Sequence, residues 1–164
     1  MKKEKKNKIE YRKGNLFEQD LKGKILVHAC NCTGRWGSGI AKEFHSRFPI
    51  FYVHYNQLCL EKGSSLLGQA QILGGPASPL IGNLFTSRKY GKWKDSEQQI
   101  LESTRLAVDD LLKQLEKFPP RFQTIEIHSP KINSGLFEVD WRKTKKIIET
   151  ALEGKPYKWI VWEL

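Results

Sequence analysis

The sequence predicts an α/β fold, a three-layer α/β/α sandwich with a mixed central sheet, and three observations carry that expectation. Short apolar runs alternate with longer segments of helical spacing, glycine-rich loops stand where strands give way to helices, and two neighbouring strands are placed to form a hairpin. With 164 residues, 39% of them hydrophobic, the chain can bury one core and is too short for two domains of ordinary size. One domain is expected over residues 9–164, behind a basic tail at residues 1–8 that is expected to be disordered.

Ile9 and Tyr11 alternate with polar neighbours up to Gly14, the pattern of a strand at a sheet edge. Residues 24–28 (KILVH) form a short apolar run behind Gly23 and predict a second strand. The glycine-rich residues 32–39 then lead into a helix over 40–47, which stops before Pro49 because a residue preceding proline is driven out of the helical region. Residues 50–62 predict another helix, closed by Gly63. Residues 68–73 and 80–86 predict two strands joined as a hairpin around Gly74, Gly75 and Pro76.

Ile100, Leu101, Ala107, Val108, Leu111, Leu112 and Leu115 mark the apolar face of a long helix, with Ser96 and Gln99 at capping-box spacing and Pro119-Pro120 beyond its end. Residues 124–128 (TIEIH) predict a strand, residues 141–152 a helix entered through Asp140 and left at Gly154, and residues 158–162 a final strand. Ligands of such sheets collect at the carboxyl ends of the strands.

No stretch approaches the roughly 20 apolar residues of a membrane span. The opening Met1-Lys2-Lys3-Glu4-Lys5-Lys6 has no apolar segment behind it, so an intracellular protein, cytoplasmic or nuclear, is expected, with no membrane partner. Cys30, Cys32 and Cys59 are odd in number, and the first two stand too close on one strand for an ordinary disulfide, so thiols are expected. Their spacing falls short of a zinc signature, and neither metal nor cofactor is expected. The formal charge is +10; within the first thirteen residues seven Lys and Arg against two Glu leave +5. A solvated leader and an arm making weak nucleic-acid contact are both readings of that tail, while the remaining charge suits an anionic ligand.

The segment from Val27 to Ala41 (VHACNCTGRWGSGIA) lets backbone N–H groups approach an anion and then offers the positive end of a helix. Glycine spacing alone would equally describe a tight strand-to-helix connection. A second loop, Ile132-Asn133-Ser134-Gly135-Leu136-Phe137-Glu138-Val139-Asp140, also follows a strand and precedes a helix, so two loops flank one crevice and could hold a diphosphate from both sides.

These blocks, with Tyr11-Arg12-Lys13-Gly14-Asn15-Leu16 before them and Leu84-Phe85-Thr86-Ser87 between them, resemble the macro domain family in family order, and most nearly its fungal ADP-ribose 1''-phosphate phosphatases. The resemblance implies that Gly14, Asn15 and Leu16 line an adenine end. It implies that Trp36, Gly37, Ser38, Gly39 and Ile40 wrap the proximal ribose and diphosphate, that Asn133, Ser134, Gly135, Leu136 and Phe137 close over the phosphates, and that His28, Ala29, Cys30 and Asn31 face the distal ribose. Three departures stand out. Asn15 replaces an adenine-binding aspartate of many macro domains. Glu138 and Asp140 stand where the fungal branch tends to have glycine and proline, and must turn outward to spare an anion. Ser87 and Phe137 fall where one class of glutamate-directed hydrolases keeps a lysine and an aspartate, so that covalent route is not expected.

Three side chains are candidate catalysts: His28 and His128, each at the end of a strand, and Asp95, in the basic and aromatic loop Lys89-Tyr90-Gly91-Lys92-Trp93-Lys94. A hydrogen-bonded structural imidazole is the alternative for His28, and capping of the long helix the alternative for Asp95. Cys30 and Arg35 are one residue short of a cysteine-phosphatase loop, which leaves water as the nucleophile. The function expected is phosphatase action on ADP-ribose 1''-phosphate; the alternatives are removal of ADP-ribose from modified protein or nucleic acid, and an ADP-ribose reader without turnover.

Overall fold

The computed structural model describes residues 9–74, 78–122 and 124–164. In chain order these form β1 (Ile9–Lys13), β2 (Lys24–Asn31), α1 (Gly39–Arg47), α2 (Pro49–Lys62), β3 (Ala70–Leu73), β4 (Leu80–Ser87), α3 (Glu97–Glu116), β5 (Glu126–Ser129), α4 (Trp141–Leu152) and β6 (Trp159–Glu163). The basic tail and part of the hairpin turn, including Gly75 and Pro76, lie outside the described residues.

The six strands form one sheet in the order β1-β6-β5-β2-β4-β3. All neighbours run parallel except β3, which pairs antiparallel with β4 through Ala70↔Leu84 and Leu73↔Ile81. The sheet is thus mixed through its hairpin, and β1 takes the edge position its alternation predicts. β2 has neighbours on both sides and layers on both faces, which explains its nearly continuous apolar run.

Two apolar clusters cover the two faces. Ile25 and Val27 of β2 turn toward α3 and α4, where Ala107, Val108, Leu111, Leu112, Leu115, Ile148 and Leu152 meet them. Leu26 and Cys30 turn the other way, toward Phe44 of α1 and Tyr55 and Cys59 of α2. Each fully buried Leu or Ile contributes roughly 1.5–3 kcal/mol, so the α3 stripe is a main stabiliser of the sandwich. α3 leans on β4 at Gly82, where a Cβ would stand 3.0 Å from Val27 Cγ2 and 3.3 Å from Leu111 Cδ1.

Helix ends follow the chemistry of the sequence. Ser96 Oγ accepts from Gln99 N while Gln99 Oε1 accepts from Ser96 N, completing the capping box of α3. Pro49 opens α2 at its first position, where a missing N–H costs nothing. Short 3₁₀ turns at Gly63–Leu66, Gly91–Trp93 and Pro120–Phe122 were not predicted, because a single tight turn leaves no periodicity to read. β2 runs three residues past His28, since Ala29, Cys30 and Asn31 keep pairing with Leu84, Phe85 and Ser87 through a bulge. His28 therefore stands inside the strand and not at its end.

Candidate functional site

Because five strands run parallel, their carboxyl ends bring Gly14, Asn31, Ser87, Ser129 and Glu163 to one edge of the sheet. The loops that leave this edge form the candidate site. In the first, Asn31 acts as the internal brace. Its Oδ1 accepts from Thr33 N (3.0 Å), Thr33 Oγ1 (2.7 Å) and Arg35 N (3.3 Å), and its Nδ2 donates to Arg35 O (2.9 Å). α2 supports the loop from beneath: Tyr55 OH lies 2.7 Å from Asn31 O, and Tyr52 OH and Asn56 Nδ2 both donate to Gly34 O at 3.0 Å. The loop ends on Gly37, Ser38 and Gly39, all exposed, at the start of α1. Ser38 occupies the cap position without a side-chain cap bond, so the N–H groups of the first turn face outward at the positive end of the helix.

The second loop is pinned by Asn133, which adopts a left-handed φ of 68°. Its buried amide donates from Nδ2 to Thr104 Oγ1 (2.8 Å) and accepts at Oδ1 from Thr86 Oγ1 (2.9 Å), tying loop, α3 and β4 together. Asn tolerates this backbone region, and two buried hydrogen bonds hold it there. Glu138, at φ 60°, turns away to pair with Lys94 Nζ at 2.8 Å, and that contact lowers its carboxyl value. Asp140 caps α4 by accepting from Arg142 N at 2.9 Å, and the Arg142 guanidinium holds its carboxyl at about 2. Both acids thus face other work than the crevice.

The two loops meet at their tips. A Cβ on Gly39 would stand 3.3 Å from Leu136 Cδ1, and Leu136 is 60% exposed above it. Gly37 and Gly135 have open space where a Cβ would point. The Ser134 hydroxyl of the second loop is buried with no hydrogen-bond partner among the described residues. At the far end, Asn15 Oδ1 accepts from Phe17 N at 2.9 Å, while Leu16 is buried and Gly14 N donates to Glu163 O at 2.7 Å.

The structure does not gather the three candidate catalysts. His28 is fully buried, stacked on Phe44 at 3.9 Å with Trp36 against its edge at 5.0 Å, and its Nε2 lies 2.8 Å from Asn83 Oδ1. Burial lowers its value to about 3, against the opposing pull of the Asn83 bond, so the ring is neutral. His128 accepts at Nδ1 from Trp162 Nε1 (2.9 Å), which leaves Nε2 to donate to Glu126 Oε1 (2.9 Å). Both ring nitrogens are committed, and burial lowers this imidazole as well. Asp95 stands at the carboxyl end of β4 and is buried too, 7% exposed, accepting from Arg88 N (3.1 Å) and Arg88 Nε (3.0 Å), with its own N–H on Ser87 Oγ. It sits one residue before the cap of α3, so the capping role falls to Ser96.

Ala29 and Cys30 point into the two apolar layers, and Trp36, 1% exposed and stacked on Tyr55 at 4.8 Å, belongs to the same interior. Burial raises the Cys30 thiol, and pushes Cys32 up to about 12 and Cys59 to about 11, so none is a ready nucleophile. No group of three or more His, Cys, Asp or Glu among the described residues is placed to hold a metal, and no helix among them is long and apolar enough to cross a membrane.

The Macro domain family profile matches residues 27–148, from the middle of β2 to the middle of α4. The chain belongs to the macro domain family. Among curated relatives it is 34% identical over 162 residues to a protein of Saccharomyces cerevisiae named ADP-ribose 1''-phosphate phosphatase, covering 86% of this chain and 91% of the relative. A protein of the same name in Candida albicans is 36% identical over 151 residues, covering 86% and 92%. The macrodomain of Thermus aquaticus DarG superposes with a TM-score of 0.77 at 24% identity, over 95% of this chain and 98% of that one.

The braces of this macro domain are the residues sequence reasoning missed. Tyr52, Tyr55 and Asn56 occupy positions i, i+3 and i+4 of α2, a spacing that marks one helix face. Read as such, it would have signalled a polar stripe aimed at a neighbouring loop. Thr86, Thr104 and Asn83 carried no local signal, because their partners are distant in sequence.

Proposed function

We propose that this macro domain binds ADP-ribose and hydrolyses the terminal phosphate ester of ADP-ribose 1''-phosphate. The observation that carries the reading is the meeting of the two glycine loops at Gly39 and Leu136, at the start of α1, whose first turn has no side-chain cap. Backbone N–H groups there would take the diphosphate, Leu136 and Phe137 would cover it, and the adenine would lie toward Asn15, whose amide nitrogen is the end not used by the Phe17 turn. The names borne by the fungal relatives support the choice of substrate.

In the reaction, a water oxygen attacks phosphorus, the bond from phosphorus to the 1'' oxygen breaks, and the products are ADP-ribose and inorganic phosphate. In this reading Asp95, whose two carboxylate oxygens accept from Arg88 N and Arg88 Nε, would take the proton of that water and return it to the departing 1'' oxygen. His28 and His128 serve this reading as positioning residues: His28 fills the floor beneath the first loop, and His128 ties β5 to Trp162. The cations of residues 1–8 would add weak electrostatic attraction for nucleic acid.

Asp95→Asn tests the assignment. Phosphate release from ADP-ribose 1''-phosphate is expected to fall about 10²- to 10⁴-fold, with ADP-ribose affinity by calorimetry within about threefold of the unaltered protein. Unchanged turnover would remove Asp95 from the mechanism, and no release by the unaltered protein would overturn the phosphatase reading.

A further inference from the structure

Between the first loop and the loop that follows β4 lies a concavity of about 540 Å³. Thr33 and Arg35 form one wall, and Lys89, Tyr90, Lys92 and Trp93 form the other. It shares no lining residue with the contact between Gly39 and Leu136. A main-chain bond from Cys32 N to Arg88 O (3.2 Å) fixes the two walls to each other through the ends of β2 and β4.

The chemistry of this cleft is one-sided. It carries three cations and two aromatic rings, and no carboxylate lines it. The nearby acids are taken: Asp95 by Arg88, and Glu138 by Lys94. Among the described residues, Arg35, Lys89 and Lys92 form no ion pair. The rings are held in the open: Trp93 is 69% exposed with Lys92 Nζ 5.3 Å from its centroid, and Tyr90 is 42% exposed with the Arg35 guanidinium 5.7 Å from its ring and Arg35 Nε 3.1 Å from its hydroxyl. A flat exposed indole beside unpaired cations matches a flat heterocycle joined to a phosphate.

We propose that this cleft is a nucleoside-phosphate subsite, in which a nucleobase stacks on Trp93 and its phosphate is held by Arg35, Lys89 and Lys92. Its walls belong to the first loop and to the loop that leads to Asp95, but none of its lining residues is given a contact in the ADP-ribose reading, and the proposal does not depend on that reading. Stacking is sequence-tolerant, because every base has a π face, so any preference would come from the length and flexibility of the strand. A nucleotide in this position could come from a single strand of nucleic acid or from a free mononucleotide.

The test titrates the full chain into a fluorescein-labelled thymidine octanucleotide, followed by anisotropy at several salt concentrations, with thymidine monophosphate as competitor. Trp93→Ala is expected to weaken octanucleotide binding by roughly five- to hundredfold. Arg35→Ala, Lys89→Ala and Lys92→Ala combined should reduce the slope of log K against log salt by about two, from roughly 0.7 per strand phosphate contact. ADP-ribose affinity of Trp93→Ala should stay unchanged, which separates failure of this subsite from failure of the ADP-ribose crevice. Displacement by the mononucleotide supports a free nucleotide as the occupant, and binding of the octanucleotide alone supports a strand. Binding that is absent, or equal in the unaltered protein and in both variants, overturns the proposal and leaves any affinity to the basic tail. An acidic peptide bound with the same Trp93 dependence, and more tightly than the octanucleotide, overturns it too.

Discussion

Leu136 lies over Gly39, so close that a Cβ added to the glycine would stand 3.3 Å from Leu136 Cδ1. This contact joins the tips of two loops that are 97 positions apart in the chain, and it places the start of α1 under the second loop. Gly39 also holds φ at 61°, a conformation that costs an L-residue roughly 1–2 kcal/mol.

Gly39→Ala should therefore weaken ADP-ribose binding by about tenfold or more, since it both strains the backbone and pushes Leu136 off the crevice. Thermal stability should fall by a similar backbone term of about 1–2 kcal/mol. Calorimetric titration beside a melting curve checks both. A Kd unchanged by the substitution would show that the diphosphate does not lie at this contact.

Asn133→Ala leaves the Thr86 and Thr104 hydroxyls without their shared buried partner and keeps a left-handed residue in place. Thr104 Oγ1 keeps its donation to Ile100 O (2.7 Å), so urea unfolding should show a loss of about 1–3 kcal/mol, mainly from the Thr86 hydroxyl. Asn133→Gly relieves the backbone but not the hydroxyls, so it should recover only a small part. If the glycine variant were as stable as the unaltered protein, the strain and not the hydrogen bonds would be the main term.

The pH dependence of stability should carry a signature of His28. Its folded value of about 3 lies below the ordinary 6.5 because burial opposes the charged ring. Between those values the unfolded chain binds one proton more than the folded one, so stability is complete above pH 6.5 and falls as pH drops, by about 1.4 kcal/mol per pH unit, down to the folded value. His128, lowered by burial as well, adds a loss of the same sign. Unfolding of His28→Gln and of the unaltered protein between pH 7 and pH 4.5 isolates the first contribution: the variant should be less stable at pH 7 and should lose less on acidification. Parallel curves would mean that His28 protonates freely in the folded protein.

Much of the architecture was legible in local chemistry. The capping box of Ser96 and Gln99, the stop before Pro49 and the apolar stripe from Ile100 to Leu115 each reports on neighbours within a turn or two, and each element appeared within a few residues of its expected bounds. The two glycine loops were legible for the same reason. What could not be read was the direction of side chains at the end of β2. A continuous apolar run covered on both faces gives no phase, so His28, Cys30 and Trp36 looked like a ligand-facing set and instead fill the layer beneath the loop. Asn31 looked like a ligand contact as well, and its amide is spent on its own loop.

The amino-acid sequence by itself determined the succession of strands and helices, the family, and the glycines that let two loops approach an anion, because these rest on short-range backbone preferences and on spacing. Only the tertiary structure decided that Leu136 closes on Gly39, that Glu138 turns to Lys94, that Asp95 is the candidate left at the sheet's edge, and that Arg35 meets Tyr90 across a basic cleft. Those relationships join residues brought together by parallel strand order, and parallel pairing across long connections leaves no trace in the spacing of either partner.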